Sequence, residues 1–281
     1  MVKFIEIITT MKLSIFSVSI LISLFFFTIQ VNSQKFQGKA YYFSKSKMEL
    51  GNWGARMSEG QKKQIQNRLK NRLEKIYILS FNMQESTFVE EEKIDAISGA
   101  TDSWGGYFSR GDLHKNIKKN EIIQSQEFYG KRFLVKDKLL NIEWNLGTET
   151  KNIGNYTCYK AAAMIKKSDL NWFDFSWGDL RPSSDETKKT TKPLIGIEAW
   201  YTPQVPIAHG PAEYGGLPGL ILEVSAGNTT LLCSEIILNP KEKINITAPE
   251  KGEIISKKGY TSNIRKKMLE MRNNRMGRRS R

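Results

Sequence analysis

Tyr214-Gly215-Gly216-Leu217-Pro218-Gly219-Leu220-Ile221-Leu222-Glu223-Val224 sets three glycines and a proline directly against an apolar run. Glycine reaches backbone angles closed to other residues, and proline fixes its own φ and donates no hydrogen bond. Gly216, Leu217, Pro218 and Gly219 therefore read as a structural turn that launches a buried strand over residues 220–224. The turn holds no nucleophile, no general base and no metal ligand. It specifies architecture and leaves the chemistry open.

Working outward, Gly227-Asn228 is a short-turn signal between that strand and another over residues 229–238. Upstream, Ile195, Ile197, Ala199 and Tyr201 alternate with Glu198 and Trp200, the period of a strand with two unlike faces. Residues 35–43, 76–81, 86–90, 133–135, 139–144 and 156–163 supply further strands, with hairpin turns at 82–85 and 136–138. Residues 98–121 are rich in Gly, Ser, Asp and Lys and read as a long loop. Ser58-Glu59-Gly60-Gln61 matches a capping box, and Ile65, Leu69, Leu73 and Ile76 follow at helical spacing. That stripe is expected to pack on a sheet. Consecutive strands joined by short turns argue for antiparallel pairing, and a sheet of this size curls. The expected fold class is mainly β (α+β): a curved antiparallel sheet or half-open barrel with one packed amphipathic helix.

Residues 1–33 read as a signal peptide: Lys12, an apolar stretch over 13–29, then Val31-Asn32-Ser33 as a small-residue cleavage site. A retained membrane anchor is the alternative, since the stretch is near the lower limit for spanning. Cleavage removes Lys3, Lys12 and Glu6 and takes the net charge from +14 to +13. An exported basic protein rarely meets nucleic acid. Its expected partners are an envelope protein, a lipid or another anionic envelope component, with peripheral membrane contact, and a merely solubilising surface is the alternative. The remaining chain divides into a β-rich domain over 34–255 and a basic tail over 256–281 whose one acid is Glu270. In the tail, the scarcity of apolar residues favours a solvated, partly disordered basic segment, and the alternative is a helix capped by Ser262 with a weak apolar stripe of Ile264, Met268 and Met271.

Several ordered blocks resemble one family. Gly216-Leu217-Pro218-Gly219-Leu220-Ile221 spells the signature of the GLPGLI family. Glu198-Ala199-Trp200-Tyr201-Thr202-Pro203, Val205-Pro206-Ile207 and Gly210-Pro211 resemble its approach to that signature. Ile142-Glu143-Trp144 and Lys151-Asn152-Ile153-Gly154-Asn155-Tyr156-Thr157-Cys158-Tyr159-Lys160-Ala161 resemble its other recurring block. The resemblance implies an exported protein of a Gram-negative bacterium of the Bacteroidetes group, in the periplasm or at the outer-membrane periphery. The family has no established activity, so it carries over no catalytic residue.

Three features invite a functional reading. His209, one of two histidines, stands close before the signature, yet a catalytic base needs a nucleophile and an orienting group in reach. Trp172, Phe173, Phe175 and Trp177 form an aromatic cluster in an insertion between strands. They serve either as a partner-binding surface or as a plug for one end of the sheet. Cys158 and Cys233 both lie in strand-like runs, and export permits a disulfide while burial suits free thiols. No metal-ligand spacing and no cofactor fingerprint is present, so no cofactor is expected. The expected function is a non-enzymatic binding or carrier module using the concave face of the sheet. A structural interaction protein and a hydrolase using His209 are the alternatives.

Overall fold

The computed structural model describes residues 36–47, 56–91, 110–170, 172–173 and 194–279, with backbone alone at 71–72 and 275–279. The expected signal peptide, Phe175 and Trp177 lie outside the described residues. Residues 37–281 make one compact unit, and residues 1–36 another, of which only Phe36 is described.

The larger unit is built on strands β1 (Gln37–Ser46), β2 (Glu74–Asn82), β3 (Glu85–Glu90), β4 (Leu113–Asn116), β5 (Glu121–Phe128) and β6 (Lys131–Asp137). It continues with β7 (Asn145–Ile153), β8 (Tyr156–Lys166), β9 (Leu194–Thr202), β10 (Leu220–Ala226), β11 (Thr229–Leu238) and β12 (Glu253–Ile255). Among the described residues the helices are α1 (Glu59–Arg68), α2 (Lys70–Leu73), α3 (Lys167–Leu170) and α4 (Lys257–Arg279). All twelve strands join one open sheet in the order β12-β6-β5-β4-β3-β2-β1-β11-β10-β9-β8-β7. Every pairing is antiparallel except that of β12 with β6. The two edges are blunted differently: β12 is three residues long, and β7 is exposed along most of its length and broken by a register shift.

Register places one continuous apolar face inward. Tyr42 faces Tyr77, Ala40 faces Leu79, and Leu79 faces Phe88, all buried. Phe88 in turn faces Leu113. The sheet curls strongly enough for β4 to reach the loop before β10, five strands away in the order, because Lys115 bonds to that loop. The loop over 203–219 thus lies against β4, with Lys115 buried beneath it.

The packed helix is α4 and not α1. Ser58 caps α1 with the full reciprocal capping box, as its sequence predicts, but no residue of α1 is buried. Ile65 and Leu69 are only half-buried, and the chain leaves helix for strand at Glu74, two residues before Ile76. The tail is helical over Lys257–Arg279 where its composition favoured a disordered segment, and Ser256 Oγ accepts from the Gly259 N–H, placing the cap six residues before Ser262. Tyr260, Ile264 and Met268 are essentially fully buried against Phe128, Phe133 and Val135. A spacing of four residues keeps them on one face, and Tyr260 meets the Phe133 ring edge-on at 5.3 Å.

The expected hairpin of 133–135 with 139–144 does not form. Residues 138–144 lack regular structure, and β6 pairs with β5 around Tyr129-Gly130 instead. Both residues have positive φ, +49° and +77°, the geometry of a two-residue turn that matches strand twist.

Candidate functional site

The signature turn is held from four directions. Gly216 N–H donates to the Ala208 carbonyl at 3.0 Å, and Leu220 N–H donates to the Val205 carbonyl at 3.0 Å. Trp144 Nε1 donates to the Gly215 carbonyl at 2.9 Å. Tyr42, fully buried on β1, donates through its hydroxyl to the Ile221 carbonyl at 2.6 Å. Gly219 has φ +154°, and a Cβ there would collide with the Thr202 carbonyl. Leu217 is buried while Pro218 and Gly216 stand exposed. These bonds clasp the hexapeptide between β1, the 205–215 segment and Trp144.

Behind the clasp lies a buried ionic cluster that sequence reading missed. Lys115 Nζ donates to the carbonyls of Gly210 at 2.7 Å and Tyr214 at 2.8 Å. Arg110 and Glu213 form an ion pair at 2.6 Å with side chains 17% and 1% exposed. Burial opposes the Arg110 charge, but Glu213 and Tyr77 outweigh it and the pKa ends above its ordinary value. Burial also drives Lys115 down to about 7, with Arg110 adding to the fall and Glu213 opposing it. Nothing in the local sequence marks Lys115. It is one charged residue of a short strand, buried only because the curl brings the 203–219 loop over it.

His209 sits in the same region, 1% exposed, and neither ring nitrogen has a hydrogen-bond partner of good geometry. Burial and then Lys115 push its pKa down to about 3, the Asn82 carbonyl opposing in part. The imidazole is neutral and enclosed, and among the described residues no hydroxyl or carboxylate is bonded to it. Among the described residues, no group of three or more His, Cys, Asp or Glu side chains is placed to hold a metal ion.

Of the aromatic cluster, Trp172 is 5% exposed and packs edge-on to Tyr260 at 5.6 Å and to Phe173 at 5.5 Å. Phe173 is half-buried with the Arg110 guanidinium 4.9 Å from its ring centre. These two rings form part of the α4 core, which removes Trp172 from any accessible partner-binding surface. Trp200 is buried on β9. Lys151 stands over its ring at 4.2 Å, Glu198 accepts from its Nε1 at 3.1 Å, and Lys151 is paired with Glu223 at 2.7 Å. Cys158 and Cys233 are both free and buried, with burial raising their pKa values to about 11 and about 12.

One open concavity runs between α4 and the β5–β6 turn, about 310 Å³ in volume. Its floor is Phe128, Phe133, Ile264 and Met271, and its rim carries Lys131, Lys266 and Lys267 with Glu270. The helix that builds one wall presents Lys258, Arg265, Lys266 and Lys267 to solvent. Among the described residues, no helix is long and apolar enough to cross a membrane.

Fold and site together define a β-sheet protein with a closed, charge-locked interior and a basic helical flank. Residues 144–223 match a family described as a protein of unknown function, Porph_ging. The match contains the signature, the Trp200 strand and the Cys158 strand. No curated protein matches the chain. Among solved structures, PNGF-II in a C2 crystal form is similar at a TM-score of 0.44 and 13% identity, over 83% of this chain and 32% of that one. The same protein in a P21 form gives 0.41 and 16%, over 78% and 31%. The chain thus spans about a third of the length of PNGF-II.

Proposed function

We propose that this chain is an exported, non-enzymatic binding module that docks on anionic lipid headgroups of the cell envelope through the outer face of α4. The observation that carries the proposal is the way α4 is anchored. Tyr260, Ile264 and Met268 sink one face into the β5–β6 core, so Lys258, Arg265, Lys266 and Lys267 are presented from a fixed scaffold. Fixed cations lose less entropy on meeting a surface than those of a loose tail, and each adds about 1 kcal/mol near an anionic membrane. The apolar first stretch and the net charge of +14 agree with an envelope location. The enclosed, neutral His209 weighs against a hydrolase that uses it, and the burial of Lys115 under the 203–219 loop weighs against a carrier that binds there.

Residues 34–281 should co-sediment with vesicles containing phosphatidylglycerol and not with pure phosphatidylcholine vesicles. Binding should fall away as salt rises to about 1 M, where the Debye length is about 3 Å. Equal binding to both vesicles, or to neither, would overturn the reading.

A further inference from the structure

The α4 groove is more than a gap between a helix and a hairpin. Three of its floor residues, Phe128, Phe133 and Ile264, are 4%, 4% and 1% exposed and belong to the α4 core, so the floor is rigid. Met271 closes one end with a flexible, polarisable side chain. Tyr129 forms the lip, and its position is unusual in two ways. It takes φ +49° as a bulky residue in the first place of a two-residue turn, where Asn, Asp or Gly normally stands. It also leaves its side chain 52% exposed, held edge-on to Phe128 at 4.7 Å. Backbone strain of this kind persists where something favours the side chain it presents. Here that side chain extends the apolar wall of the groove toward solvent.

The rim gives the sign of the ligand. Lys131 is already paired with Glu253 at 2.7 Å, and Lys267 with Glu270 at 3.2 Å. Among the described residues Lys266 has no carboxylate partner, so none of them offsets its charge on the rim of the apolar slot. A volume of about 310 Å³ lies at the lower end of small-molecule sites, about 300–1,000 Å³, and suits one chain rather than two.

We infer that the groove between α4 and the Tyr129-Gly130 turn is a binding site for a single-chain amphiphilic carboxylate. Its hydrocarbon chain lies on Phe128, Phe133, Ile264 and Met271 under Tyr129, and its head group meets Lys266. The inference rests on the lipid-surface reading above and deepens it, because the site sits on the same helix and selects for a chain as well as a charge.

Titration calorimetry of residues 34–281 with octanoate, decanoate and dodecanoate, each below its micelle threshold, tests the site. Affinity should rise about four-fold per added methylene, the equivalent of ~0.8 kcal/mol, until the groove is full. Lys266→Ser should weaken every carboxylate about tenfold, the loss of one charged contact, and leave the neutral decyl maltoside unchanged. Asn263→Trp, at an exposed position in the lining, should fill the slot and weaken all chains at least tenfold while the melting temperature holds. Tyr129→Gly gives a second route: it relieves the positive φ, so it should raise the melting temperature while lowering chain affinity. Affinity independent of chain length, or untouched by both groove variants, overturns the inference. If phosphatidylglycerol vesicles still bind in that case, the lipid-surface reading stands alone; if neither carboxylates nor vesicles bind, both fall.

Discussion

The Glu213 carboxylate meets the Arg110 guanidinium at 2.6 Å inside the protein, one side chain from the loop before the signature and the other from the approach to β4. The pair ties the two halves of the curled sheet together. Removing one partner leaves a buried charge uncompensated, which costs about 3–5 kcal/mol. Glu213→Gln should therefore lower stability by several kcal/mol in chemical denaturation. The double replacement Arg110→Met/Glu213→Leu should cost clearly less than the two single changes added together. Additive losses would show that the two side chains do not act as a pair.

His209 predicts an acid limit. Its folded pKa of about 3 lies below its ordinary 6.5, so between those values the unfolded chain holds a proton that the folded chain does not. Its contribution to stability is fully present above pH 6.5 and is lost as pH falls toward 3. His209→Leu should flatten that part of the stability profile, measured as denaturant midpoints from pH 7 to pH 4. An unchanged slope would place the acid sensitivity elsewhere.

Lys115 predicts the opposite end of the range. With a folded value of about 7 against an ordinary 10.5, the unfolded state binds the extra proton between pH 7 and 10.5. Stability should rise from pH 7 to 9, a rise that Lys115→Met removes. Above pH 9 the buried thiols, raised to about 11 and about 12, reverse the trend, because there the folded state holds the extra protons.

The thiols themselves should be inert. Buried and held well above their ordinary pKa, Cys158 and Cys233 carry little thiolate at neutral pH. A thiol reagent should label neither in the native protein and both after denaturation, with the exported protein showing two free thiols by mass. A mass two hydrogens lower would mean that the pair oxidises during export.

Gly219→Ala tests the clasp. The position has φ +154° and faces the Thr202 carbonyl, so a methyl group meets strain and collision together. Strain alone costs about 1–3 kcal/mol. Gly216→Ala, at φ +83° with open space around it, should cost less. Thermal melting of the two variants gives the order directly.

Much of the sheet was legible from local pattern. The alternation around Trp200, the Gly227-Asn228 turn and the apolar run after Gly219 each give their strands to within a residue or two, because strand periodicity and turn chemistry are local properties. The Tyr129-Gly130 turn escaped notice because tyrosine is a poor first residue for such a turn. The two helices were exchanged for a related reason. α1 has the better cap and the clearer stripe, but capping fixes where a helix starts and not whether it is buried. α4 has only Tyr260, Ile264 and Met268 to offer, and the β5–β6 core accepts all three.

By itself the sequence determined the strands around the signature, the composition of the signature turn and the basic character of the tail, since each follows from residue type and short spacing; β4, β5, β7 and β12 lack such a local signal. Only the tertiary structure decided that Lys115, Arg110 and Glu213 form one buried cluster, that Trp172 is core, and that the groove beside α4 exists. Those features join residues far apart in the chain, and the sheet's curl, a cooperative outcome of all its strands, brings them within reach of one another.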